Sequence, residues 1–218
     1  MREIELKARL DDPQAAEECL LRCADFSLSC LKTDDYWSIG DKTIRIRQET
    51  ANGSTVFFVT QKIKILNGSI ENNQELEFEL PAAAVPVFTA MLQNTGFILT
   101  AHKQKQTKVF IPHNELFTKD CLQDVQKISA EISRIEPIGS FLEIEILYPG
   151  NPPLPDTPDP QLARAQDIIG RLLAVLHIPR SAVEMRPYNE LLAAAGVFDG
   201  IAYSKPDRSE QSGMAAIS

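Results

Sequence analysis

Charged and apolar residues alternate one for one at the start of the chain. In MREIELKARL, Glu3, Glu5, Lys7 and Arg9 interleave with Ile4, Leu6, Ala8 and Leu10. A period of two is that of a β-strand, whose successive side chains point to opposite faces. The beat returns along the chain. TIRIRQ sets Arg45 and Arg47 against Ile44 and Ile46. FVTQKIKIL sets Thr60, Lys62 and Lys64 against Val59, Ile63 and Ile65. QELEFEL sets Glu75, Glu77 and Glu79 against Leu76, Phe78 and Leu80. HKQK gives Lys103 and Lys105, and FLEIEI sets Glu143 and Glu145 against Leu142, Ile144 and Ile146. After the first strand, the pattern predicts strands over 31–38, 42–49, 55–65, 74–80, 98–103, 105–111, 130–135 and 141–148.

Between them the period changes. Residues 13–23, 82–94, 161–176 and 188–195 read as helices, the first opened by Asp11-Asp12-Pro13, a cap followed by proline at the first helical position. Asn52-Gly53 between two alternating runs is a hairpin signal, and Asn67-Gly68 turns the chain again. Residues 112–127 are mixed, with room for a short helix. NPPLPDTPDP reads as a connection, and residues 204–218 as a polar disordered tail after a single domain over 1–203.

Composition narrows the function classes. The formal net charge of −8 argues against a non-specific nucleic-acid binder. No apolar run reaches the length of a membrane span. Cys19, Cys23, Cys30 and Cys121 show no zinc-site spacing and read as reduced thiols of a cytoplasmic protein. His102, His113 and His177 are scattered, and neither a G-x-S-x-G nor a P-loop is present.

A wet face on an antiparallel sheet is the plain explanation of charged strands. Two features go beyond it. Strands disfavour Glu and Lys, and a solvent face mixes in Ser, Thr and Gln. The strands here also sort by sign, some carrying acid pairs and others only bases. Closing the sheet into a barrel with these faces inward gives the pattern a use. Paired carboxylates suit a hard divalent cation with oxygen ligands. Arginines and lysines aimed at one lumen suit a polyphosphate. Both signs are tolerable together only in a wide, wet interior.

The motifs, taken in order, resemble the CYTH superfamily, the triphosphate tunnel metalloenzymes that join class IV adenylate cyclases and thiamine triphosphatases. Glu3-Ile4-Glu5-Leu6-Lys7 matches E-x-E-x-K. Arg45/Arg47, Thr60/Lys62, Glu75/Glu77, Gly96-Phe97, Lys103/Lys105 and the run Ile138 to Glu145 follow in the family's order, and Pro187-Tyr188-Asn189-Glu190-Leu191-Leu192 answers its closing segment. The resemblance implies an α+β fold, an eight-stranded antiparallel β-barrel forming a tunnel with a charged lumen, flanked by helices. It implies Mg²⁺ or Mn²⁺ on Glu3, Glu5, Glu75, Glu77, Glu143 and Glu145. It implies a triphosphate on Lys7, Arg45, Arg47, Lys62, Lys103 and Lys105, with Lys7, Arg45, Arg47 and Glu131 in catalytic roles. Two positions depart from the family pattern: Lys105 stands where Arg is usual, and Ser133 where Asp is. Glu131, two residues earlier on the same face, is the expected stand-in. The implied activity is a class IV-like adenylate cyclase or a triphosphatase. The alternative is a non-catalytic polyphosphate- or nucleotide-binding module. The expected partner is a small-molecule triphosphate, with no nucleic acid and no membrane, and outward apolar strand faces fit a homodimer.

Overall fold

In a computed structural model the chain is described over residues 1–67, 70–153 and 157–197. The tail expected over 204–218 lies outside these residues, as do Gly68 of the second turn and the last residues assigned to the domain. The elements in chain order are β1 (Arg2–Leu10), α1 (Pro13–Cys23), β2 (Ala24–Ile39), β3 (Lys42–Ala51), β4 (Ser54–Asn67) and β5 (Ile70–Glu79). Then come α2 (Val85–Asn94), β6 (Ile98–Pro112), β7 (Lys127–Ile135), β8 (Gly139–Tyr148), α3 (Pro160–Val175) and α4 (Tyr188–Ala194). The strands close into one antiparallel barrel in the order β1-β5-β4-β3-β2-β6-β7-β8. No helix among the described residues is long and apolar enough to cross a membrane.

Local chemistry explains the joints. The Asp12 side chain accepts from the backbone N–H of Ala15 at 3.0 Å and starts α1, and Asp159 does the same for Leu162 at the head of α3. Asn52 and Gly53 both take positive φ, 51° and 77°, so the two-residue β3–β4 loop twists as the hairpin requires. The two strands expected over 98–103 and 105–111 are one. β6 runs unbroken for 15 residues, because Gln104, a polar residue where the alternation calls for an apolar one, simply points outward. The merger leaves eight strands. Within residues 112–127 the expected short helix is a single 3₁₀ turn, Asn114–Leu116.

The hydrophobic core lies outside the barrel. Ile4, Leu6 and Ala8 of β1, Ala130 and Ile132 of β7, and Leu142, Ile144 and Ile146 of β8 turn outward. They pack under Ala16 and Leu20 of α1 and Ala165, Ile168, Ile169 and Leu172 of α3. Each leucine or isoleucine among them, taken fully from water, is worth roughly 1.5–3 kcal/mol. Smaller clusters seat α4 on Ile135 and Phe141, and α2 on Trp37 and Ile46. The outer wall at β4 and β5 is bare: Ile63, Leu76 and Phe78 are 44%, 49% and 52% exposed. With the apolar faces spent outside, the charged faces line the lumen.

Candidate active site

The lumen is divided by charge. Going round the barrel, β7, β8, β1 and β5 are neighbours and carry Glu131, Glu143, Glu145, Glu3, Glu5, Glu75 and Glu77. The other arc, β4, β3, β2 and β6, carries Lys62, Arg45, Arg47, Lys32, Lys103 and Lys105. Strands scattered in sequence order thus assemble into one acidic and one basic half-wall. Lys7 is a buried base of the acidic half, and Asp34 a buried acid of the basic half.

Lysines from the basic half reach the carboxylates at both seams. The Lys62 ammonium lies 2.6 Å from Glu3, 2.9 Å from Glu5 and 3.5 Å from Glu75. Burial alone would pull its pKa down, but Glu3 and Glu5 hold it well above the usual lysine value. At the other seam Lys105 lies 2.5 Å from Glu143 and 3.4 Å from Glu131, and Lys32 lies 2.7 Å from Glu131. Burial raises the Glu143 and Glu131 carboxyls, yet the neighbouring ammonium groups, Lys105 and Lys32 on both and Lys103 on Glu143, together outweigh it and keep both below the ordinary range. Glu131 is therefore a paired, ionised carboxylate on the lumen face. Ser133, fully buried, donates to Glu143 at 3.1 Å and lies 3.0 Å from the Thr107 hydroxyl.

Glu145 is different. It makes no ion pair among the described residues. Burial and the charges of Glu131 and Glu5 lift its carboxyl to about 7. Glu5 stands directly opposite it on the paired strand. Glu77 stands apart from these acids: its side chain is 37% exposed, accepts from Thr60 at 2.7 Å and lies 3.5 Å from Arg45. Of the six expected metal-ligating glutamates, the structure gathers Glu3, Glu5 and Glu75 around one ammonium, sets Glu145 opposite Glu5, places Glu143 on Lys105 and leaves Glu77 on Arg45. Among the described residues no ready-made cluster of three carboxylate, imidazole or thiolate groups surrounds a cation-sized gap. The donor set nevertheless fits a hard cation: its ligands are all oxygen, and like charges face each other across β1 and β8.

The basic half keeps unspent donors. The Arg45 Nη2 reaches Thr60 at 3.0 Å, but its Nε is buried with no hydrogen-bond partner among the described residues. Arg47 gives Nε and Nη2 to the two oxygens of Asp34, at 2.7 and 3.0 Å, and its Nη1 bonds to nothing among the described residues. Lys7 donates to the Arg186 carbonyl at 2.6 Å and lies 4.4 Å from the centre of the Tyr188 ring. Lys103 lies 4.6 Å from the same ring and 3.0 Å from Asp34. Tyr188, the first residue of α4, packs edge-on against Phe141 at 5.0 Å and so docks the helix on the barrel. It also stands under two of the tunnel's ammonium groups.

Sequence reasoning missed Lys32, Asp34 and the lumen role of Tyr188. Lys32, Asp34 and Tyr36 do share a face of β2, but Asp35 beside them blurs the alternation. A register shift between Tyr36 and Trp37 hides the rest. A groove of about 360 Å³ lies elsewhere, lined by Ile111, Leu122, Val125 and Ile128 among others, and holds none of the tunnel's charged residues.

No protein-family model matches the chain, and no curated protein matches it in sequence. Solved structures do match. A protein of Pyrococcus horikoshii OT3 superposes with a TM-score of 0.69 at 21% identity, covering 88% of this chain and 99% of its own. An adenylate cyclase candidate from Vibrio parahaemolyticus gives 0.62 at 17% identity, over 88% and 97% of the two chains. HpAC1 from Hippeastrum, an adenylyl cyclase candidate with a dominant triphosphatase activity, gives 0.54 at 17% identity, over 89% and 96%. These likenesses show a shared fold, and the structure has the closed eight-stranded antiparallel barrel that the resemblance implied.

Proposed function

We propose that the tunnel binds the triphosphate group of a small molecule together with Mg²⁺ or Mn²⁺ and catalyses phosphoryl transfer. One observation carries the reading: the buried Nε of Arg45, with no hydrogen-bond partner among the described residues, shares one lumen with a crowded set of buried carboxylates. An orphaned guanidinium N–H costs free energy unless something accepts from it. Phosphate oxygens suit it, and a carboxylate pair that repels itself suits a divalent cation.

In this reading Arg45 and Arg47 fork onto phosphate oxygens, and Lys7, Lys62, Lys103 and Lys105 supply further charge. Glu5 and Glu145, with Glu3, would hold the cation. Bound there, the metal would neutralise phosphate charge and favour the leaving group. Phosphoryl transfer asks mainly for positioning and charge stabilisation, which is what these side chains offer. Water attacking the terminal phosphorus makes a triphosphatase. A ribose hydroxyl attacking the α-phosphorus makes a cyclase. The Vibrio and Hippeastrum likenesses support a triphosphate-acting enzyme of this kind and leave both outcomes in the reading. Ser133 and the closed Lys105–Glu143 pair favour a second reading, binding without turnover.

The test is a product assay on ATP, thiamine triphosphate and inorganic tripolyphosphate, each with Mg²⁺ or Mn²⁺, beside a Glu5→Gln control. Cyclic AMP with pyrophosphate, or free phosphate, from the wild type alone supports the first reading and names its branch. Binding with no turnover of any of them supports the second.

A further inference from the structure

Asp34 is out of place by charge. It sits on β2, in the basic half of the lumen, and is fully buried. β2 lies between β3 and β6 in the barrel, and Asp34 is in direct register with Arg47 on one side and Lys103 on the other. A single carboxylate thus holds two of the cations assigned to phosphate. Burial would raise its carboxyl, but Arg47 and Lys103 outweigh it and hold it well below the usual range. The Tyr36 hydroxyl also approaches it, at 3.3 Å.

An acid in an anion-binding wall weakens that wall electrostatically. The way it grips Arg47 points to a compensating use. The carboxylate takes the Nε–Nη2 edge of the guanidinium at 2.7 and 3.0 Å, a bidentate pair that fixes the plane of the group. That grip leaves the Nη1 side unpaired among the described residues. Lys103 is pinned by the same carboxylate and by the Tyr188 ring at 4.6 Å. Resting on the function proposed above, we infer that Asp34 is a positioning residue, which orients Arg47 and Lys103 so that their remaining donors meet a phosphate chain. It stays bound to both while the ligand is held.

The competing role is a mere counter-charge, displaced when the anion arrives, and the two roles predict opposite signs. Tripolyphosphate binding with Mg²⁺ in excess is measured by calorimetry on the wild type, Asp34→Asn, Arg47→Lys and the double variant. A positioning role gives about tenfold weaker binding for Asp34→Asn, although a negative charge has gone. The loss shrinks on the Arg47→Lys background, where the fork is already absent. Equal or tighter binding in Asp34→Asn overturns the inference and leaves the tunnel's function standing. If the wild type does not bind tripolyphosphate, the functional reading falls and this inference with it. Should Asp34→Asn fail to fold, the wild type still decides. With ¹⁵N-labelled arginine, the Arg47 Nε–H resonance stays in place on adding tripolyphosphate if Asp34 keeps its hold. A large shift or loss of the signal overturns it.

Discussion

Glu5 on β1 and Glu145 on β8 stand directly opposite each other on paired strands, both facing the lumen. Like charges so placed are destabilising. The Glu145 carboxyl, lifted by burial, Glu131 and Glu5 to about 7 from 4.5, records the strain. A raised carboxyl pKa means that the folded state keeps a proton the unfolded chain has lost. Stability from this group is full below about pH 4.5 and drains away as pH rises to about 7. The loss is on the order of 3 kcal/mol for a shift of that size. Urea denaturation in EDTA should therefore show stability falling across that window. Glu145→Gln should flatten the fall; an unchanged slope in that variant would remove Glu145 as its source.

Lys62 is the hub of the first seam, with Glu3, Glu5 and Glu75 on one ammonium. Lys62→Met leaves three carboxylates facing each other. Removing one partner of a buried ion pair costs about 3 kcal/mol or more. A divalent cation can take over that neutralisation. Thermal melts with and without Mg²⁺ should therefore show a larger metal-induced rise in the variant than in the wild type. Equal rises would mean that the metal does not sit among these carboxylates.

The core outside the barrel gives a second contrast. Ile144 is fully buried against the helices, whereas Leu76 on the bare wall is 49% exposed. Ile144→Ala should cost about 2–5 kcal/mol, as core truncations do. Leu76→Thr should stay within about 0.5 kcal/mol, as surface changes do. Guanidinium unfolding of the two variants checks this directly, and similar losses in both would contradict the placement of the core.

Much of this arrangement is legible in the chain. Period-two alternation marks the strands, Asn52-Gly53 the hairpin, Asp12-Pro13 the first helix, and the inward charge follows from strands too charged for a plain wet face. What is not legible comes from pairing between strands distant in sequence. That Glu131 meets Lys32, 99 residues away, depends on β2 and β7 both flanking β6. That Asp34 lies between Arg47 and Lys103 depends on the register of two ladders. Neither is written in any local window. The continuity of β6 rests on the same kind of pairing: Gln104 faces outward in register with Thr33, yet a polar residue there looks, locally, like a break.

Ser133 is the position where this lumen departs from the acidic pattern that the resemblance implies. It is buried between Thr107 and Glu143, so an added carboxylate would lie beside Glu143. Ser133→Asp should lower metal-free stability by about 1–3 kcal/mol through like-charge crowding and burial. It should raise Mn²⁺ affinity by about tenfold, because hard cations gain from each added carboxylate. Mn²⁺ titration followed by electron paramagnetic resonance reads the affinity. Unchanged affinity would place the metal away from β7 and β8.

The most direct test of the tunnel as a triphosphate site uses Arg45, whose Nε is buried with no hydrogen-bond partner among the described residues. Tripolyphosphate is titrated calorimetrically into the wild type and into Arg45→Met, with Mg²⁺ present. The expected result is one site per chain in the wild type and binding weakened about tenfold or more in the variant. No binding to the wild type, or equal binding to both, would contradict the assignment of this lumen to a triphosphate.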